Sequence, residues 1–366
     1  MPTRAAIERV LDRARWAPSG DNTQPWRFGI LSEDHAVVYG SDTRRTVVYD
    51  LRGHASQIAI GALLEYISIS ATGERLVARI ARRRHDSSNC EDDEKPIFDI
   101  YFSKDPALLP DPLSSFLERR CVNRRPFGTR PLSEKEKKLL EGLLPSGFNL
   151  VWFEGLKKKL AMANLTQRAG KLRLSIPEAY TVHREIIEWN ARTSIDRVPD
   201  LALGLSSNIL PMMRWIMGKW SRVLFFNRFL GGTLIPRVQL DILPALFCSA
   251  HFLLLAENIP NSLDDYVAGG RALARLWLGC ASMDLQFQPE MTPLIFRSYA
   301  TENIVFSNSA GAMGAAHRLQ DMLDHLAGEM VNRAIFLGRI GRGSLPEARS
   351  LRKPLSLLLA HEEKIS

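Results

Sequence analysis

Cysteine is scarce in this chain of 366 residues: Cys90, Cys121, Cys248 and Cys280 stand far apart. There is no CxxC pair and no Cys/His cluster, so the sequence offers neither a disulfide framework nor a metal site, and four reduced thiols are expected. Long hydrophobic runs are also missing. The longest, Ile242 to Ala256, is too short to span a bilayer, carries Pro244 and His251, and reads as a buried core helix. The opening MPTRAAIERV lacks the apolar segment of a secretory signal, so a cytoplasmic location is expected. The net charge of +8 is not gathered into one tract interleaved with aromatics, which gives a nucleic-acid groove only weak support. No Ser/His/Asp or Cys/His arrangement follows from the spacing of His54, His85, His183 or His251, and no catalytic residue is named.

What is present is ordinary globular material, 45% hydrophobic and 24% charged, enough for one large domain or two of usual size. Apolar residues at Ala6, Ile7, Val10, Leu11 and Ala14 mark a helix over Thr3–Trp16. Strands are expected at Arg27–Leu31, His35–Tyr39, Leu76–Ile80 and Pro96–Phe102, and a core helix at 53–71 with Gly73 as its C-cap. RRRHDSSNCEDDEK reads as a solvated loop. Further on come helices at Pro112–Arg120, after the N-cap Ser133 with Glu136 in the capping-box position, over Leu160–Asn190 and over Gly269–Met283. Short strands are expected near Pro293–Phe296 and Ala334–Arg339.

Three stretches stand out. The first, APSGDNTQPW from Ala17 to Trp26, packs small and polar residues into a turn that a plain reversal would not need. Its Pro18, Ser19, Gly20 and Asn22 can present backbone N–H groups without bulk, and Gln24 can pair its amide with an amide edge. The second is RRCVNRRPF, Arg119 to Phe127, where Arg120, Asn123 and Arg124, with Arg352 and Lys353 of the tail, can grip a phosphate through charge-assisted bonds. The third, Leu201 to Leu240, is rich in Met, Trp and Phe with basic residues at intervals. It suits a cap over an apolar ligand pocket, or a helix pair between units, better than a membrane-surface helix. WAPSGDNTQPWRF is echoed by LLPSGFNLVWF from Leu143, and the order of helices and strands repeats with it, which implies an internal duplication.

These motifs resemble the FMN-dependent nitroreductase superfamily. The turn is similar to its Ser-x-x-Asn-x-Gln-Pro-Trp turn, the basic cluster to its phosphate-binding segment, GGRALARLWLGCASMDLQFQP to its long helix and Gln-x-Pro turn, and IFLGRIGRG…LRKPL to its last strand and basic tail. Because the turn precedes the arginines, the order is that of the fused, two-unit Acg-like branch. The resemblance implies an α+β fold of two fused units forming a pseudo-dimer within one chain: 1–110 supplying the turn, 111–366 the phosphate site and tail, and 201–240 a cap. It further implies FMN as cofactor, NAD(P)H and a small aromatic or conjugated acceptor as partners, a possible homodimer, and no catalytic side chain. Pro18, Ser19, Gly20, Asn22, Gln24, Arg120, Asn123, Arg124, Arg352 and Lys353 are the expected cofactor contacts. The second turn, at 145–152, lacks Gln-Pro, so one FMN per chain is expected, and Cys121 and Val122 stand where hydroxyl residues are more usual. The alternative is a protein that holds FMN under a closed cap with little turnover.

Overall fold

The computed structural model describes residues 2–83 and 91–360. Most of the expected charged loop, with His85 and Cys90, lies outside them. Helix α1, Arg4–Ala14, is capped by the Thr3 hydroxyl accepting from the Ala6 N–H and buries the apolar stripe read from the sequence. Strands β1 (Trp26–Ile30) and β2 (His35–Gly40) follow. After α2 (His54–Gly73) come β3 (Leu76–Arg83) and β4 (Ile97–Lys104). The sheet is antiparallel throughout, in the order β1-β2-β4-β3.

The second half builds the same pattern at greater length. Helix α3 (Glu134–Glu141) carries the expected capping box between Ser133 and Glu136. Strand β5 (Phe148–Phe153) is followed by α4 (Gly155–Arg173), α5 (Pro177–Ile186), α6 (Leu210–Met217) and α7 (Trp220–Phe229). Next come β6 (Ala250–Ala256), α8 (Leu263–Ser282), β7 (Leu285–Pro289), α9 (Thr292–Thr301), α10 (Ala312–Ala327) and β8 (Ala334–Arg342). The second sheet runs β5-β6-β8-β7, again antiparallel. In both sheets the order is first, second, fourth, third, and in both a helix of 20 residues joins the second strand to the third.

Those two helices cross at glycine. A Cβ on Gly61 of α2 would lie 2.0 Å from the Val267 carbonyl oxygen, and one on Gly270 of α8 would lie 2.1 Å from that of Ile58. Only bare Cα atoms let the backbones approach so closely. Arg271 and Arg275 of α8 add ion pairs to Glu65 of α2 at 2.9 and 2.8 Å. The fold is thus mixed α and β, two antiparallel sheets joined through one helix pair.

Several local expectations fail, each for a physical reason. Ile242–Ala256 is not a core helix: a short helical turn, Leu243–Leu246, leads into β6, buried along nearly its whole length. Helices cover the second sheet on both faces, so its inner strand shows an unbroken apolar run without strand alternation. The expected strand near Pro293–Phe296 is helix α9, with Pro293 in its first turn, where the missing N–H costs nothing. The Gln-x-Pro turn is strand β7, and the helix expected over Pro112–Arg120 is a 3-10 turn ending at Phe116. At the end of α2 it is Arg75, not Gly73, that takes the left-handed conformation.

Candidate functional site

The turn between α1 and β1 is under backbone strain. Asp21, Asn22 and Gln24 all have positive φ, at 49°, 64° and 51°. Each non-glycine residue in that region is disfavoured, and three within four positions persist only because the surroundings hold them. Ser19 Oγ accepts from the Gln24 N–H at 3.0 Å, closing the turn on itself. Gln24 Nε2 donates to the carbonyls of Asn22 and Ile195, and its Oε1 accepts from the Lys353 N–H at 2.9 Å. Asn22 Nδ2 donates to the Arg197 carbonyl, while its buried Oδ1 has no partner. Gly20 is exposed, and the space where its Cβ would lie is open.

Behind the turn lies a cluster of arginines. Arg120 is buried, donates to the Tyr66 hydroxyl at 2.9 Å and the Trp16 carbonyl at 3.1 Å, and stacks on the Trp277 ring. Arg352, also buried, donates to the carbonyls of Ala17 and Leu351. Arg349 covers the Trp16 ring, donates to the Glu118 carbonyl, and leaves its buried Nε unpaired. Among the described residues no carboxylate forms an ion pair with any of the three. Burial, reinforced by the charges of Arg120, Arg349 and Arg15, pushes the Arg352 guanidinium well below its ordinary pKa. Burial likewise lowers Arg349. Like charges desolvated together without a counter-ion are the makings of an anion site.

Arg124 turns the other way. Its guanidinium donates to the Ala202 carbonyl at 3.1 Å and faces Asp21 and Arg173. A Cβ on Gly204, which has φ +90°, would lie 3.0 Å from the Arg124 Cβ, so a bare Cα suits this approach. Asp21 keeps some solvent contact yet is surrounded by protein, as a group lining a deep cleft would be; burial pushes its carboxyl up, against the pull of Arg124 and Arg173. Beyond Arg173 sit Tyr49 and His183, hydrogen-bonded at 3.0 Å, with His183 lowered to about 3 by burial and then by Arg173.

The ten expected residues thus divide. Pro18, Ser19, Gly20 and Asn22 form the strained turn; Arg120 and Arg352 stand together behind it. Lys353 contributes its backbone N–H to Gln24. Gln24 is spent on holding the turn to the tail and to segment 187–199, so its amide does not point free as expected. Asn123 is also committed: its Nδ2 donates to Gln286 Oε1 and the Ser344 carbonyl, and its N–H to the Phe287 carbonyl, fixing the basic segment to β7. Arg124 is separated from the other arginines. Arg349 and Tyr66 are site residues that sequence reading missed; the spacing Arg349-x-x-Arg352 in the tail was the available signal. A cavity of about 260 Å³ opens elsewhere, lined by Tyr49, His54, Tyr266 and Tyr299, and includes none of the ten.

The tail carries these contacts across the molecule. From β8 it pairs Arg349–Ser350 in parallel with Thr193–Ser194, then reaches the first sheet, where the Ala360 N–H donates to the Phe28 carbonyl of β1. The model of the Nitroreductase family matches residues 1–76. That nitroreductase-like stretch holds α1, the strained turn, β1, β2 and α2. No curated protein matches the chain. Among solved structures, a nitroreductase-like family protein from Bacillus cereus is 10% identical, with a TM-score of 0.35, over 69% of this chain and 97% of that one. The FMN-dependent nitroreductase NfnB from Mycobacterium smegmatis, in complex with NADPH, is 15% identical, with a TM-score of 0.35, over 68% and 98%.

Proposed function

We propose that the chain is a flavin oxidoreductase, built as a pseudo-dimer in one polypeptide and holding one FMN between its halves. The observation that carries this reading is the buried arginine group, without a carboxylate partner among the described residues, directly behind a strained turn. A phosphate dianion is the chemistry that such a donor set fits. Residues 1–110 would supply the turn, residues 111–366 the arginines and tail, and segment 201–240 the cover.

Bound FMN would supply the redox ring, taking hydride from NADH or NADPH and passing it to a nitroaromatic, a quinone or a similar conjugated acceptor. The chain's own part is to bind and orient. Arg120, Arg349 and Arg352 would hold the phosphate. Ser19, Gly20 and the open backbone of the turn would meet the edge of a flat ring, with the unpaired Asn22 Oδ1 as a buried acceptor for a ring N–H. Arg124 places positive charge at the same turn, next to Asp21. Gln24, Asn123 and Lys353 are positioning groups. No side chain is assigned a proton-transfer step.

One observation favours the second reading, an FMN-holding protein with little turnover. Segment 187–204 is bonded to the turn through Ile195 and Arg197 and to Arg124 through Ala202, which closes one approach to the site. Anaerobic stopped-flow absorbance of the flavin-loaded protein mixed with NADPH or NADH separates the two. Rapid bleaching of the flavin band establishes the oxidoreductase; a flavin that stays oxidised with both overturns it in favour of the holding protein.

A further inference from the structure

We infer that the helix pair α6–α7 and the turn after it form a docking surface for an anionic lipid membrane. The inference concerns the outer face of segment 201–240 and does not depend on the FMN assignment.

The inner face of this segment is anchored. Ile216, Met217 and Val223 are buried beside Tyr180, whose hydroxyl donates to the Met217 carbonyl, and Asn227 Nδ2 donates to the Leu174 carbonyl. The outer face is exposed. Trp215, Leu224, Phe225, Phe229, Leu230 and Leu234 are between 48% and 65% exposed. They are not scattered: Trp215 meets Phe226, Phe226 meets Phe225 and Phe225 meets Phe229, with ring centroids 6.0, 6.0 and 5.2 Å apart. Contiguous apolar surface of this kind marks a contact site, whereas lone exposed apolar residues do not.

The charge pattern selects the occupant. Residues 201–240 hold five cations, Arg214, Lys219, Arg222, Arg228 and Arg237, and no Asp or Glu. Among the described residues, Arg214, Lys219, Arg222 and Arg228 have no carboxylate in ion-pair range. The Arg222 guanidinium lies 4.3 Å over the Trp215 ring and donates to the Trp215 carbonyl, and that of Arg228 lies 5.5 Å over the Phe229 ring, so both charges sit on the aromatic surface itself. Aromatic side chains interleaved with cations match the boundary between acyl chains and anionic headgroups. A second copy of this chain matches poorly, because a two-fold interface would set the same acid-free cations against each other. None of the described helices is long and apolar enough to cross a membrane, which fits a surface contact.

The test is co-sedimentation of the full chain with phosphatidylcholine vesicles, with and without phosphatidylglycerol. The expected result is binding to the anionic vesicles, weakened by salt, and little binding to the neutral ones. Phe225→Ser with Phe229→Ser, and separately Arg222→Gln with Arg228→Gln, should each cut binding by about tenfold. Lys135→Gln with Lys138→Gln, outside the segment, should leave it unchanged. Because these side chains are exposed, Arg222 partly so, circular dichroism should be that of the wild type. An independent readout is quenching of tryptophan fluorescence by bromine-labelled lipid, which Trp215→Phe should reduce. The inference is overturned by absence of binding, by equal binding to neutral vesicles, or by full binding of the Phe225→Ser/Phe229→Ser variant. It is also overturned if the wild type is a dimer that this variant makes monomeric, since a second copy would then be the occupant.

Discussion

Arg352, in the C-terminal tail, donates from Nε to the carbonyl oxygen of Ala17, 2.9 Å away, at the start of the strained turn. Arg120, from the segment between the two sheets, donates to the adjacent carbonyl of Trp16. Three distant parts of the chain therefore converge on two consecutive peptide groups, and two of them bring a buried cation.

A site built around missing negative charge should show its cost when empty. Arg120→Ala with Arg352→Ala removes two desolvated, mutually repelling cations along with their carbonyl bonds, so the melting temperature of the flavin-free protein should change little. Bound FMN should fall by at least tenfold, given roughly 1.5–3 kcal/mol for each lost bond to a charged group. Flavin content after gel filtration and thermal melts check both halves; undiminished FMN would mean that the phosphate lies elsewhere.

Gln24 gives a different outcome. Its amide joins the turn to Ile195 and Lys353, so Gln24→Leu should free the tail as well as weaken flavin binding. Hydrogen exchange at residues 349–353 should accelerate in the flavin-free variant, where a residue serving only the ligand would leave the tail as protected as in the wild type.

The helix crossing supplies the sharpest stability test. Gly61→Ala and Gly270→Ala each drive a methyl group into a backbone carbonyl oxygen that has nowhere to go. Each should cost about 3 kcal/mol or more, the upper range for overpacking. Urea unfolding measures it. Gly314→Ala, on α10, where the nearest atom to a new Cβ is the end of the Arg318 side chain at 3.6 Å, should by contrast be neutral or stabilising.

Much of this architecture could be read from the chain. The stripe of α1, the capping box at Ser133, and the strands around residues 26–40 each follow a local rule that tertiary contacts did not override. The segment 242–256 failed because burial on both faces erases the alternation that distinguishes strand from helix. At the site, the turn and Arg120 announced themselves through unusual composition. Gln24 and Asn123 also looked like ligand groups, because an amide about to bind a cofactor and an amide stapling three segments have the same sequence signature. The roles of Arg349 and Tyr66 depend on a tail that crosses from one sheet to the other, which no local pattern encodes.

Three histidines set opposing limits on stability. Burial, with the charges of Arg52 and Arg44, lowers His54 to about 3, and burial with Arg173 lowers His183 to about 3. Both are neutral in the folded protein, so between pH 6.5 and 3 the unfolded chain holds more protons and stability falls as the pH is lowered. Asp241, pushed up to about 6 by burial, works the other way below that pH and offsets part of the loss. His251 is the reverse case. Burial opposes its charge, but the Glu290 carboxylate, hydrogen-bonded at 2.7 Å, and the neighbouring Cys248 outweigh it and raise the imidazole to about 10. Its contribution is complete below pH 6.5 and is lost as the pH rises from 6.5 to about 10. The melting temperature should therefore peak near pH 6.5 and decline on both sides. Glu290→Gln leaves the charge of Arg339 buried without its carboxylate and removes the ion pair that His251 gains on folding, so it should cost about 3–5 kcal/mol at neutral pH. It should also flatten the alkaline decline, because the imidazole then no longer gains a proton on folding. Thermal melts of both proteins from pH 5 to 10 decide the matter: an alkaline limb that survives in Glu290→Gln would show that some group other than His251 produces it.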